Sequence, residues 1–227
     1  MPQSDFYRCG EHIPLAGRLS RESRLIIFNC FMKIMAPGPE SRVLDVGVTS
    51  ESSSEEANML EQRFPFKQNL ICAGIEDAAH LETAYPGIKF VRLEPHQVLP
   101  FADKQFDIVH SHAVLEHVGN ADDQRTFLSE LCRVAKNVFV SVPNRLFPVE
   151  HHTAIPFLHY LPQIFFRSIL RTIGNDFYSK EENLNLMYPW KLSGLFPTEY
   201  KPTIVFAGVG FGVFKSNVIA WIKGEER

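Results

Sequence analysis

The chain has 227 residues, 45% hydrophobic and 22% charged, with a formal net charge of -3 at pH 7. That size fits one domain, 1–227, with at most a small appendage, and the mild acidity gives no electrostatic reason to expect nucleic acid as a partner. Cys9, Cys30, Cys72 and Cys132 form no close pair, so neither a zinc knuckle nor a redox pair is indicated, and reduced thiols in a cytoplasmic protein are the simpler reading.

The amino terminus lacks a charged-then-apolar signal pattern, and no apolar run is long enough to cross a bilayer. Residues 1–36 read as an N-terminal extension and helix: from Ser20 to Met35 the apolar residues Leu25, Ile26, Phe28, Phe31, Met32 and Met35 fall near one helical face, and Pro37-Gly38-Pro39 stops it. Arg42 to Ser50 then reads as a buried strand that ends in Asp45-Val46-Gly47 and turns into a helix. A side chain at Gly47 would block a ligand's approach to the backbone of that turn. Ser53 and Glu56 have capping-box spacing for the helix, which runs to about Phe64.

Asn69 to Ile75 reads as a second strand, closed by Glu76-Asp77, with a short helix to Tyr85. Ile88 to Leu93 and Phe106 to Ser111 are the third and fourth strands, Asp122 to Ala135 a helix, and Asn137 to Val142 the fifth strand. This alternation predicts a parallel, doubly wound α/β sheet. Residues 143–178 break the pattern and read as an inserted, lid-like segment, with an apolar helix from Leu161 to Ile173. Ser179 with Glu182 suggests a further capped helix to Met187, and Pro189 opens another to Phe196. Thr203 to Ala207 and Gly212 to Ile222 read as an antiparallel hairpin, with Gly208-Val209-Gly210 supplying the reversal.

Charge at the first turn separates two cofactor classes. A pyrophosphate needs the positive end of a helix, but Glu51, Glu55 and Glu56 crowd that terminus. A cofactor without phosphate and with a cationic centre suits it better. A carboxylate after the second strand can accept hydrogen bonds from both hydroxyls of a ribose. Glu76 is the first candidate and Asp77 the second, unless one of them caps the next helix.

Asp45-Val46-Gly47, Glu76-Asp77, Leu99-Pro100-Phe101, Phe106-Asp107-Ile108-Val109 and Leu115-Glu116-His117 occur in that order. Together they resemble the class I S-adenosylmethionine-dependent methyltransferases, in particular the branch of ubiquinone and menaquinone biosynthesis. The resemblance covers roughly residues 40–142. It implies a Rossmann-like seven-stranded sheet with an antiparallel C-terminal hairpin strand, and S-adenosylmethionine as cofactor. It places Asp45 beside the methionine amino group, and backbone near His112 along the adenine and methionine side. Thr49 stands where that family has a second glycine and Glu51 where a third often occurs. Glu94-Pro95-His96 replaces its usual Gly-Asp-Ala, leaving Glu94 nearest to the acidic adenine contact.

The acceptor side is read from Pro148 to Thr153. Glu150 can orient His151 or His152, and His117 is a further polar candidate near the acceptor. A turn satisfying its own backbone is the alternative. No metal site is expected, because adjacent histidines diverge and only His159 offers itself as a third ligand. The apolar residues from Phe157 to Leu170 fit a lid over an apolar or aromatic acceptor, a peripheral membrane contact, or packing onto the body. The expected function is transfer of a methyl group to a small-molecule acceptor. A non-catalytic binding protein on the same fold and a nicotinamide-dependent oxidoreductase are the rivals.

Overall fold

The computed structural model describes residues 14–51, 57–95, 97–150, 152–153 and 155–224. Seven strands form one sheet: β1 Val43–Val46, β2 Leu70–Gly74, β3 Lys89–Arg92, β4 Phe106–His112, β5 Ala135–Pro143, β6 Thr203–Phe211 and β7 Phe214–Ile222. Their order is β3-β2-β1-β4-β5-β7-β6. The first five pair in parallel, and β7 runs antiparallel to both β5 and β6. The helices among the described residues are α1 Pro14–Met35, α2 Met59–Arg63, α3 Leu81–Ala84, α4 Ala121–Val134, α5 Gln163–Thr172 and α6 Pro189–Ser193. The expected Rossmann-like α/β sheet with its reversed C-terminal strand is therefore present.

Alternating side chains along each strand serve two layers. Val43, Leu70, Ile108 and Phe139 pack with Ile27, Phe31 and Met35 of α1. Leu44, Val46, Val109, Val138 and Val140 pack with Leu128 and Leu131 of α4. Both faces are covered, which is why β1 is buried at every position and reads as an almost continuous apolar run. The exception is Asp45, which shares its face with Val43.

α4 begins in a capping box. The Asn120 side chain accepts from the N–H groups of Asp122 and Asp123, and the Asp123 carboxylate accepts from the Asn120 N–H. Asn120→Ala is expected to cost about 1 kcal/mol, read as a lower urea midpoint at an unchanged slope.

Three expectations need correction or limits. The box at Ser53 and Glu56 lies outside the described residues. No helix forms between Ser179 and Met187. The Ser179 hydroxyl donates to the Asp176 carbonyl, Arg167 takes the carbonyls of Ser179 and Leu184, and His117 takes that of Asn183. Side chains from elsewhere thus hold the carbonyls that a helix would have used. Finally, the hairpin reverses at Gly212-Val213, between the paired Phe211 and Phe214, with Gly212 at φ +55°. Gly208 and Gly210 instead form an irregularity inside β6. A Cβ on Gly208 would lie 2.1 Å from the Ser216 hydroxyl and 2.5 Å from that of Ser23. The glycine therefore clears room for a buried polar knot in which Ser23 of α1 donates to Asn217 at 2.7 Å.

The inserted segment leaves the end of β5. α5 buries Phe166 and Leu170 against Tyr178, Leu184 and Leu186, while Ile164 and Phe165 on its other side are exposed. Among the described residues no helix is long and apolar enough to cross a membrane.

Candidate functional site

In sheets of this kind ligands bind outside the carboxyl ends of the strands, where the strand order reverses. Here that place lies between β1 and β4, and a cavity of about 1080 Å³ opens there. Its wall is built from the ends of β1, β2 and β4, from α1, and from the segment after β5. Polar and apolar groups are unevenly spread along it, and two polar regions stand out.

The first region is the turn after β1. Gly47 has φ +109°, and its N–H donates to the Ala73 carbonyl at 2.8 Å. The Cβ that any other residue would carry lies 2.0 Å from Val114 Cγ2. Glycine is thus required by the packing of β1 against the turn after β4, as well as by any ligand's approach. Thr49 does not imitate a second glycine. Its hydroxyl donates to Glu76 Oε2 at 3.1 Å and accepts from the Glu51 N–H. Glu76 Oε2 also accepts from the Ser50 N–H. Among the described residues no hydrogen bond engages Glu76 Oε1, and Glu76 lines the cavity.

Asn58 closes the turn: its side chain accepts from the Thr49 N–H and donates to the carbonyls of Thr49 and Glu51. Asn58 was not a sequence candidate. Its one signal was its type, since asparagine tolerates the left-handed backbone found there, at φ +53°.

Asp45 faces the cavity from a buried position. His110 Nδ1 donates to its Oδ1 at 2.7 Å. Burial pushes the Asp45 carboxyl up to about 7, against a hydrogen bond from Glu61 that pulls it down. Burial also pushes Glu61 well up, and the nearby Asp45 charge adds to this. His110 is pushed down to about 4 by burial and is neutral. The Cys72 thiol donates to Glu61 at 3.1 Å. Neither Glu61 nor His110 was singled out in the sequence: Glu61 stands among the polar residues Gln62 and Arg63 of a short helix, and His110 inside the strand β4.

His112 and Glu94 line the same cavity, Glu94 at its exposed rim beside Val98. Asp77 does not line it. It is exposed, and its Oδ1 accepts from the Ala79 N–H at 3.2 Å, the local capping role considered for this pair. Between the two acidic residues the geometry favours Glu76 for ligand contact.

The second region joins the turn after β4 to the inserted segment. Leu115–His117 form a single 3-10 turn. His117 Nδ1 donates to the Asn183 carbonyl at 2.7 Å. His152 Nδ1 lies 2.6 Å from Glu150 Oε1, and the two Nε2 atoms face each other at 3.2 Å. Glu150 also accepts from the N–H groups of His152 and Thr153. Both readings of this segment are therefore present together: a self-satisfied turn, and a carboxylate that orients a histidine.

Burial opposes charge on His152, but the Glu150 carboxylate outweighs it and holds the pKa above the ordinary value. His117 is pushed down to about 3 by burial and by His152. Burial pushes Glu116 up to about 7. His151 lies outside the described residues. His159 is turned into the body, where its Nε2 bonds to the Arg145 carbonyl at 3.1 Å. Arg24 of α1 also lines the cavity; neither it nor Glu116 was a sequence candidate.

The sheet order, the reversed β7 and a crevice at the β1/β4 switch point together define the class I methyltransferase fold. Residues 44–138 match a family model described as a methyltransferase domain. Among solved structures, the N-methyltransferase NodS of Bradyrhizobium japonicum, in complex with S-adenosyl-L-homocysteine, is similar over 98% of this chain and 93% of its own. That match has a TM-score of 0.57 at 13% identity. A magnesium protoporphyrin IX methyltransferase from Synechocystis, with the same product bound, is similar over 92% of this chain and 86% of its own, with a TM-score of 0.54 at 14% identity. An S-adenosylmethionine-dependent methyltransferase from Thermotoga maritima gives 91% and 90% coverage, a TM-score of 0.55 and 16% identity. At such identities the likeness is one of fold. No curated protein matches the chain.

Proposed function

We propose that the protein is an S-adenosylmethionine-dependent methyltransferase that acts on a small acceptor, apolar or aromatic over much of its surface. The observation that carries this reading is one open cavity lined by two separate polar groups. Gly47, Asp45 and Glu76 belong to one, and the His117–His152 pair to the other. The cavity's volume suits a nucleoside-sized ligand together with a small partner.

The residues present fit the cofactor. Glu76 Oε1 is placed to accept from ribose hydroxyls. Asp45 offers a buried carboxylate to an ammonium group. Ile75 and Val98, 54% and 72% exposed, give apolar surface on which an adenine ring can lie, with Glu94 at the rim. When bound, the cofactor supplies a methyl group activated on a sulfonium.

The chain's part is then alignment and exclusion of water. Leu19, Val118, Phe127, Phe147 and Val149 furnish the apolar wall for the acceptor. Glu150, His152 and His117 hold its reacting end. The order of the motifs, Leu115-Glu116-His117 included, supports a relation to the quinone-biosynthesis branch.

Calorimetric titration of the full chain with S-adenosylmethionine and S-adenosylhomocysteine tests this. Both are expected to bind, and Glu76→Ala is expected to weaken binding by about 1–3 kcal/mol. Absence of binding by either compound to the unaltered chain overturns the reading.

A further inference from the structure

We propose that Glu116, His117 and His152 form a divalent metal site, of zinc type, with its open side toward the cavity. Their donor atoms lie within 4.8 Å of one another.

The Asn183 carbonyl can only accept, so His117 Nδ1 carries the hydrogen of that 2.7 Å bond. The Glu150 carboxylate likewise takes the hydrogen on His152 Nδ1. In the neutral rings both Nε2 atoms therefore present lone pairs, and these face each other at 3.2 Å. Two lone pairs at that distance repel unless a cation, either a proton or a metal ion, lies between them.

Glu116 decides between the two. It is 1% exposed, and among the described residues neither of its oxygens has a hydrogen-bond partner. A buried carboxylate left in that state is costly. A proton shared by the two rings would leave it so, whereas a divalent ion satisfies all three groups at once.

The geometry agrees. Two ligands at about 2.0–2.1 Å from a tetrahedral ion stand about 3.3 Å apart, close to the spacing of the Nε2 atoms. Glu116 Oε1, at 3.9 Å from His117 Nε2, must swing inward to complete the set. Each histidine already has its Nδ1 held by an oxygen acceptor, as ligating histidines do. Two imidazoles and one carboxylate, with further positions open, match the donor set of zinc sites that keep a place for water or a substrate oxygen. Arg24 bears on the same cluster electrostatically, but Glu116 and Glu150 outnumber it. In this proposal the second histidine comes from position 117, rather than from the positions 151 and 159 weighed in the sequence.

The site stands independently of the methyl-transfer reading, and the test keeps the two apart. The full chain, stripped with chelator, is titrated with zinc chloride by calorimetry and with cobalt(II) by visible absorption. One ion per chain is expected, with cobalt bands of a four- or five-coordinate site. Glu116→Gln and His152→Ala are each expected to weaken zinc at least 100-fold, and Glu150→Gln about 10- to 100-fold. Titration with S-adenosylhomocysteine on the same samples reports whether the cofactor end is intact. Glu116→Gln keeps the side chain's shape, so it remains informative if His152→Ala fails to fold. Failure of the unaltered chain to bind zinc overturns the site, as does zinc binding that survives both ligand changes. Loss of S-adenosylhomocysteine binding alone would count only against the methyl-transfer reading.

Discussion

Gly47→Ala is expected to remove measurable cofactor binding and to destabilise the chain by about 2–6 kcal/mol, the sum of two costs. An alanine at φ +109° pays about 1–3 kcal/mol for a backbone region that L residues avoid. Its Cβ also meets Val114 Cγ2 at 2.0 Å, and relieving such overpacking typically costs about 1–3 kcal/mol more. The turn has little room to give way, because the Gly47 N–H is held by the Ala73 carbonyl on β2. Urea unfolding and titration with S-adenosylhomocysteine measure both effects. The double variant Gly47→Ala/Val114→Ala separates them, since it removes the clash and keeps the backbone cost, so it should recover part of the stability. A single variant with unaltered stability and affinity would refute this account of the turn.

Asp45→Asn is expected to lower cofactor affinity by about 1.5–3 kcal/mol at pH 8 and to flatten its dependence on pH. Without ligand the Asp45 carboxyl titrates at about 7 because burial disfavours its charge. The groups around it are Glu61, whose carboxyl burial also pushes well up, neutral His110, and the Cys72 thiol and Lys67 amine next to Glu61. An ammonium placed beside Asp45 prefers the ionised form. Affinity in the unaltered chain should therefore rise as pH increases from 6 toward 8 and level off once the carboxyl is ionised.

Stability of the ligand-free chain has the opposite sign. A carboxyl raised by folding contributes most below its unfolded pKa, and that contribution is lost as pH rises through the folded value near 7. Thermal midpoints without ligand should fall over this interval in the unaltered chain relative to Asp45→Asn, while the shift produced by ligand grows. Parallel pH profiles for the two proteins would rule out Asp45 as the ammonium contact.

The parallel half of the fold was legible in the sequence because its central strands bury both faces, whereas β3, at the sheet edge, is exposed or half-buried throughout. Val43-Leu44 or Ile108-Val109 must be continuously apolar to pack against α1 on one side and α4 on the other. Among the helices between them, α4 is set by a local signal, the Asn120 box. Gly47 and Glu76 were legible for a related reason: the end of a buried strand is where a glycine or a carboxylate is out of place unless the backbone or a ligand requires it.

Local residue patterns therefore fixed the parallel sheet and the glycine turn that closes β1. Packing between distant elements set the remainder. The stretch after Ser179 has helix-like capping residues, but His117 and Arg167 take its carbonyls, and no local pattern encodes partners that far away. Gly208 looks like a turn residue, yet it clears space for Ser23, which is remote in the chain. Glu116, His117 and His152 come together only because the insertion folds back over the end of β4. Periodicity reports what one segment buries; which distant side chains meet in a cavity depends on how whole elements pack.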